Sequence, residues 1–179
     1  LNRHAEIVDV VAGDFRRAFR HGVGRAREVY SAPFKEQADV IVASAYPSDL
    51  NLWQAGKAFY SADLIVKEEG IIILASPCYE GIGEHDDFVQ LLHYDYQMIE
   101  QKLAERTVSD RIGAAAALAV ALVKARAEIW LVTDNLSDSQ AATMNMRHFD
   151  SLQDAVDVAL ALKGSKAHVT VIHEATELL

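Results

Sequence analysis

The run Ser44-Ala45-Tyr46-Pro47-Ser48-Asp49-Leu50-Asn51-Leu52-Trp53-Gln54-Ala55-Gly56-Lys57 holds the side chains best suited to grip a small polar ligand. Gln54 and Lys57 stand three residues apart, so on a helix their side chains share one face. Trp53, four residues before Lys57, adjoins that face, and Gly56 leaves room for a ligand or a backbone to approach. An amide that donates and accepts, beside an ammonium, suits a small hydroxy acid. Lys57 would take the carboxylate and Gln54 the hydroxyl or carbonyl. The same spacing also describes a solvated surface helix carrying a Gln and a Lys, and residue types alone leave both readings open.

A second turn, Pro77-Cys78-Tyr79-Glu80-Gly81-Ile82-Gly83-Glu84, sets two glycines close together, as phosphate-cradling loops do. Asp86 stands where a third glycine belongs, and Glu84 and Asp87 repel a phosphate, which favours a tight turn beside a site. A stand-alone module binding a small carboxylate or a nucleotide is the alternative reading of these two turns. Cys78 has no cationic neighbour in sequence and reads as a small, half-buried thiol. His85 and His93 fall on one predicted helix with Asp86, Asp87 and Asp95 but lack HExxH spacing. Met144, Met146 and His148 alternate as on one strand face, which packing against a core explains without a metal. Asp134, Asn135 and Asp138 follow a strand end as turn, cap or cleft residues. No metal site is expected.

Positioning these turns requires a scaffold. β-rich runs at residues 7–11, 40–44, 71–75, 129–132 and 168–172, with a further strand at 144–149, alternate with helical patterns at 14–28, 50–62, 84–105 and 152–162. Pro47 fixes the first turn, and Ser48 or Asp49 is expected to cap the helix after it. The apolar run 114–123 is too short and too alanine-rich to span a bilayer. It reads as a buried helix capped by Thr107 or Ser109, with Asp110 in its first turn. Uninterrupted β runs separated by helices predict an α/β fold, a three-layer sandwich with a mostly parallel, Rossmann-like sheet. Ligands in such folds bind beyond the carboxyl ends of the strands, which singles out the turns after Ser44, Ser76 and Thr133.

Composition narrows the partners. Lys and Arg total 17 against 26 Asp and Glu, and a net charge of −9 repels nucleic acid and anionic membrane surfaces alike. The lone cysteine excludes an internal disulfide or a CxxC knuckle and fits a reducing, cytoplasmic compartment. No repeat or linker interrupts the chain, so residues 1–179 read as one domain. The opening at Leu1, without Met, reads as the start of a fragment.

Four motifs follow one another in fixed order: Ala38-Asp39-Val40-Ile41-Val42, the run from Tyr46 to Lys57, Gly70-Ile71-Ile72-Ile73-Leu74, and Cys78-Tyr79-Glu80-Gly81-Ile82-Gly83. Together they resemble the C-terminal domain of the nickel-pincer-dependent lactate racemase family. Gly113, opening the alanine-rich helix, and the last strand near Val169 fit the same plan. The resemblance implies an isomerase, a two-domain 2-hydroxyacid racemase or epimerase. In that family the N-terminal domain carries the lysine-tethered nickel pincer nucleotide and the proton-shuttling histidines. Hydride leaves the substrate α-carbon, giving a 2-keto intermediate, and returns to either face. The C-terminal domain closes over the cleft and supplies a Gln and a Lys from a Gln-x-x-Lys helix.

By that resemblance Gln54 and Lys57 are the catalytic and substrate-binding pair, with Trp53 as a further substrate-binding residue. The implied partners are a small 2-hydroxy acid and the N-terminal domain of the same polypeptide. Residues 1–179 are expected to hold no cofactor of their own and to be inactive alone. The sequence departs from the family pattern at three places. Ser44-Ala45 replaces a frequent glycine pair, Trp53 replaces a frequent Tyr, and a proline common near the last strand is absent around His173. A wider aromatic at Trp53 alters which hydroxy acid fits.

Overall fold

Branched apolar side chains run without interruption through Val40–Val42 and Ile71–Leu74. Such segments are stable only when both faces are covered. In the computed structural model, which describes residues 1–2 and 4–178, the chain forms two compact units, residues 1–35 with 177–179 and residues 36–176.

The smaller unit contains helix α1 (Phe15–Tyr30), whose first turn is closed by Asp14 accepting from the Arg17 amide. The strand expected at residues 7–11 is not formed. Ile7 and Val10 are 73% and 77% exposed. The Asn2 and Asp9 side chains instead take the nearby amides of His4, Glu6 and Val10, holding the segment in local turns.

The larger unit begins with β1 (Ala38–Ser44), α2 (Leu52–Ala55), α3 (Lys57–Ile65) and β2 (Val66–Ala75). It continues through α4 (Asp86–Leu91), α5 (Tyr96–Ala104), α6 (Arg111–Lys124) and β3 (Ala127–Val132). It ends with α7 (Asp138–Thr143), β4 (Arg147–Phe149), α8 (Leu152–Lys163) and β5 (Val169–Ile172). The five strands pair in the order β4-β3-β2-β1-β5, and every pairing is parallel. Val40 faces Ile71 on one side and Val169 on the other, and Ile73 faces Trp130. Alternation sends Val40, Val42, Ile71, Ile73 and Trp130 to one face, where Ala155 and Ala159 of α8 close over them. The other face, with Ile41 and Ile72 fully buried, is covered by α3 and α6. This is the α/β sandwich the β runs predict.

Several boundaries differ from the sequence expectation, each for a local reason. The helix expected over residues 50–62 is two helices meeting at Gly56, and it is capped by Asn51, not by Ser48 or Asp49. The expected helix 84–105 is likewise two. Asp95 caps α5 by accepting from the Met98 amide, and a side chain so engaged starts a helix instead of continuing one. Asp110, not Thr107 or Ser109, caps α6, taking both the Ile112 and Gly113 amides. Thr107 is occupied with the Lys102 carbonyl and Ser109 with Asp87. The strand expected at 144–149 shrinks to three residues, because Met144 still bonds back into α7 and Asn145 turns the chain at φ 54°. Helix α7 escaped the sequence reading, although Ser137 and Gln140 form a reciprocal capping box. Among the described residues no helix is long and apolar enough to cross a membrane.

Candidate active site

The crevice for a ligand in an open parallel sheet lies where the chain reverses its direction of strand addition, here between β1 and β5. The segment after β5 covers that point. The Ala175 amide donates to the Ser44 carbonyl at 3.0 Å, and Ser61 Oγ donates to the Ala175 carbonyl at 2.6 Å. Polar side chains are therefore offered one step along the sheet, by the turns after β1 and β2.

The turn after β1 carries a cis Tyr46–Pro47 peptide and closes through Ser48 N–H to the Ala45 carbonyl at 2.7 Å. Asn51 Oδ1 then accepts from the Gln54 amide at 3.0 Å and starts α2. The chain stays helical through Gly56, at φ −57° and ψ −17°, so the offset of α2 from α3 does not separate Gln54 from Lys57. Lys57 Nζ donates to Gln54 Oε1 at 2.7 Å. An ammonium has no acceptor, so the amide oxygen is committed to it and the amide N–H2 points elsewhere. Lys57 is exposed and Gln54 half-buried. The pair therefore presents N–H donors of both side chains, the recognition chemistry of a carboxylate with an adjacent oxygen.

The turn after β2 supports this pair from behind. The Leu52 and Trp53 amides donate to the Gly81 and Ile82 carbonyls, both at 2.9 Å, and the Glu80 amide donates to the Leu50 carbonyl at 2.8 Å. Gly83, at φ +114°, lies so close to α2 that a Cβ there would meet the Trp53 Cβ at 2.9 Å. Gly83 thus serves close packing against α2, while the Gly81 and Ile82 carbonyls are taken up by α2 amides. The Trp53 ring packs against His85, with centroids 3.9 Å apart and the planes tilted by 31°, and meets Phe88 edge-on at 5.1 Å. Sequence reasoning set His85 aside as a helical residue. It precedes α4 and bonds through Nδ1 to Asp110 Oδ2 at 2.6 Å. The Gly113 amide and His85 together hold the Asp110 carboxyl below the usual carboxylate range. The Asp110-x-x-Gly113 spacing was the available signal, since a cap reaching the third residue needs its carboxylate close to the backbone.

The third turn has a structural occupation. Thr133 Oγ1 and Asn135 Nδ2 both donate to the Pro77 carbonyl, at 2.9 and 2.7 Å. His148 bonds through Nδ1 to Asp138 at 2.7 Å and through Nε2 to the Thr133 carbonyl at 2.8 Å. Burial opposes charge on this ring, but the Thr133 carbonyl and the Asp138 carboxylate outweigh it and raise its pKa. Cys78 is buried at φ 46°, its thiol 3.3 Å from Ser76 Oγ, and burial pushes its pKa up, the opposite of an activated nucleophile. Met144 and Met146 are core residues. Among the described residues no three His, Cys, Asp or Glu side chains gather as a metal would require.

Comparison with known proteins bears on the family and the fold. Residues 34–179 match the lactate racemase C-terminal domain family. The lactate racemase of Lactiplantibacillus plantarum is 26% identical over 179 residues, covering 96% of this chain and 41% of the relative. That of Thermoanaerobacterium thermosaccharolyticum is 24% identical over 181 residues, covering 97% of this chain and 42% of the relative. The chain thus spans about two fifths of the length of the curated relatives it matches. Among solved structures, the lactate racemase apoprotein from T. thermosaccharolyticum superposes with a TM-score of 0.78 at 22% identity, covering 90% of this chain and 40% of that one. A Thermotoga maritima protein superposes with a TM-score of 0.61 at 13% identity, covering 92% of this chain and 42% of that one. Both likenesses establish the fold. On the match over residues 34–179, this chain belongs to the lactate racemase C-terminal domain family.

Proposed function

We propose that this chain is the substrate-side domain of a nickel-dependent 2-hydroxyacid racemase or epimerase, working with an N-terminal domain of the same polypeptide. The observation that carries the reading is the Lys57–Gln54 pair, 2.7 Å apart on the carboxyl side of the sheet, within the segment that matches the family. Lys57 keeps two N–H donors for a substrate carboxylate. The Gln54 N–H2 serves an α-oxygen whether it is a hydroxyl or, after oxidation, a carbonyl. The pair therefore needs no rearrangement between the two states. Holding the carboxylate and the α-oxygen together fixes the plane of the α-carbon, so that hydride can return from either side. Trp53 borders the pair and governs which α-substituent fits.

When bound, the family's nickel pincer nucleotide supplies the hydride chemistry. By resemblance to the family, that cofactor is assigned to the N-terminal domain, and the residues of this chain bind and orient the substrate. The buried lone cysteine fits a cytoplasmic setting.

Extending the polypeptide upstream and assaying nickel content and 2-hydroxyacid racemisation tests the reading. Loading with racemisation is expected, and a loaded protein without it contradicts the reading. Calorimetry of residues 1–179 with lactate separates a half-site from a stand-alone carboxylate module. A half-site binds more weakly than about 1 mM, because it supplies only part of the contacts. Submillimolar binding favours the module.

A further inference from the structure

Helix α2 has only four residues, too few to be stable alone, yet it carries Gln54. Its position is imposed from outside. One side is the backbone ladder to Gly81 and Ile82. The other is a side-chain stack that reaches across the domain to the start of α6. Trp53 lies on His85 at 3.9 Å, His85 Nδ1 is 2.6 Å from Asp110 Oδ2, and Asp110 Oδ1 takes the Ile112 and Gly113 amides at 3.0 Å. The Asp110 amide is itself taken by Asp87, which also accepts from Ser109. Since the Asp110 carboxyl stays ionised and acceptor-only, Nδ1 is the nitrogen that carries the proton. That bond fixes the imidazole plane on which the indole rests.

We infer that His85 is a positioning residue for the Gln54–Lys57 pair, its ring locked by Asp110 so that Trp53, and with it α2, presents the Gln54 amide at one fixed place. The inference rests on the reading of that pair as the carboxylate site. His85 supports binding geometry and moves no proton in the reaction. Its loss should weaken the hold on the substrate more than it slows turnover.

The test combines kinetics of the full-length, cofactor-loaded enzyme with Trp53 fluorescence of the 179-residue chain, a Trp53→Phe variant identifying the Trp53 signal. His85→Ala is expected to raise KM for the hydroxy acid about 10-fold with kcat within about twofold, and to shift the Trp53 emission. His85→Phe, which keeps a ring under the indole, restores KM to within about threefold of the parent. Asp110→Asn preserves the α6 cap and loosens the imidazole, raising KM by about 3- to 10-fold, and it carries the test if His85→Ala does not fold. KM unchanged in both His85→Ala and Asp110→Asn, with the emission shifted, overturns the inference. So does a fall in kcat with KM unchanged. Lys57→Ala run in parallel reports on the underlying reading: if it leaves KM and kcat untouched, that reading fails, whatever His85 does.

Discussion

Lys57 and Gln54 meet at 2.7 Å, and the direction of that one hydrogen bond decides what the proposed site would recognise. With its oxygen facing the ammonium, Gln54 offers donors only, and a carboxylate substituted there would neutralise Lys57. Gln54→Glu is therefore expected to raise KM for a 2-hydroxy acid more than Gln54→Ala does, by roughly a further 10-fold, read from initial rates of the full-length enzyme. Lys124 shows a different use of the same side-chain type. Its amine donates to the Leu92 carbonyl at 2.6 Å and the Met144 carbonyl at 2.8 Å, and burial lowers its pKa to about 8. Above that pH the folded chain has released a proton that the unfolded chain keeps until about 10.4, so the contribution of this side chain to stability rises with pH across this interval. Urea midpoints between pH 8 and 10 check the slope. Lys124→Met should abolish it and cost about 1–3 kcal/mol by leaving two buried carbonyls short of a donor. The spacing of Gln54 and Lys57 was legible because three residues on a helical path place side chains together. The role of Lys124 was not, because both its acceptors are backbone atoms distant in sequence.

Elements, more than single residues, separate what local sequence determines from what packing determines. Strands β1, β2 and β3 were legible as apolar runs, since a strand buried on both faces has no polar alternation to hide it. Helix ends were less so. At the start of α6, Thr107, Ser109 and Asp110 all qualify as caps, and the choice of Asp110 follows from Lys102 and Asp87 engaging the other two. Gly113 belongs to that junction: a Cβ there would meet Asp110 Oδ2 at 2.7 Å and the Phe88 amide nitrogen at 3.0 Å. Gly113→Ala is expected to destabilise by about 1–3 kcal/mol in urea titration, although alanine favours a helix. At the far end of the sheet, His148 pins α7 to the turn after β3 through two acceptors, its side chain only 7% exposed. Its folded pKa is raised, so its contribution is complete below the unfolded value near 6.5 and fades as pH climbs through the folded one. Thermal midpoints should fall across that window, and His148→Phe should remove the dependence.

For the whole molecule, the order β4-β3-β2-β1-β5 places the Gln54 and Lys57 helices immediately after the strand at which the chain changes direction. The α/β class was readable from the alternation of runs and helices. The covering of the reversal point by the segment after β5 was not, because it depends on bonds between residues distant in sequence, from the Ala175 amide to the Ser44 carbonyl and from Ser61 Oγ to the Ala175 carbonyl. On the proposed reading a ligand sits at the turns after β1 and β2, where the acidic chain offers the Lys57 ammonium to an anion. The chain matches about two fifths of each lactate racemase relative, and on the proposed reading it holds substrate for chemistry carried elsewhere in the polypeptide. The most direct measurement is racemisation of a 2-hydroxy acid by the full-length enzyme carrying Lys57→Ala, with nickel content verified as equal to the parent. Losing a charge-assisted contact of about 1.5–3 kcal/mol, the variant should drop in kcat/KM by roughly 10- to 150-fold at unchanged cofactor loading. Parental kcat/KM in a fully loaded Lys57→Ala enzyme would contradict the account.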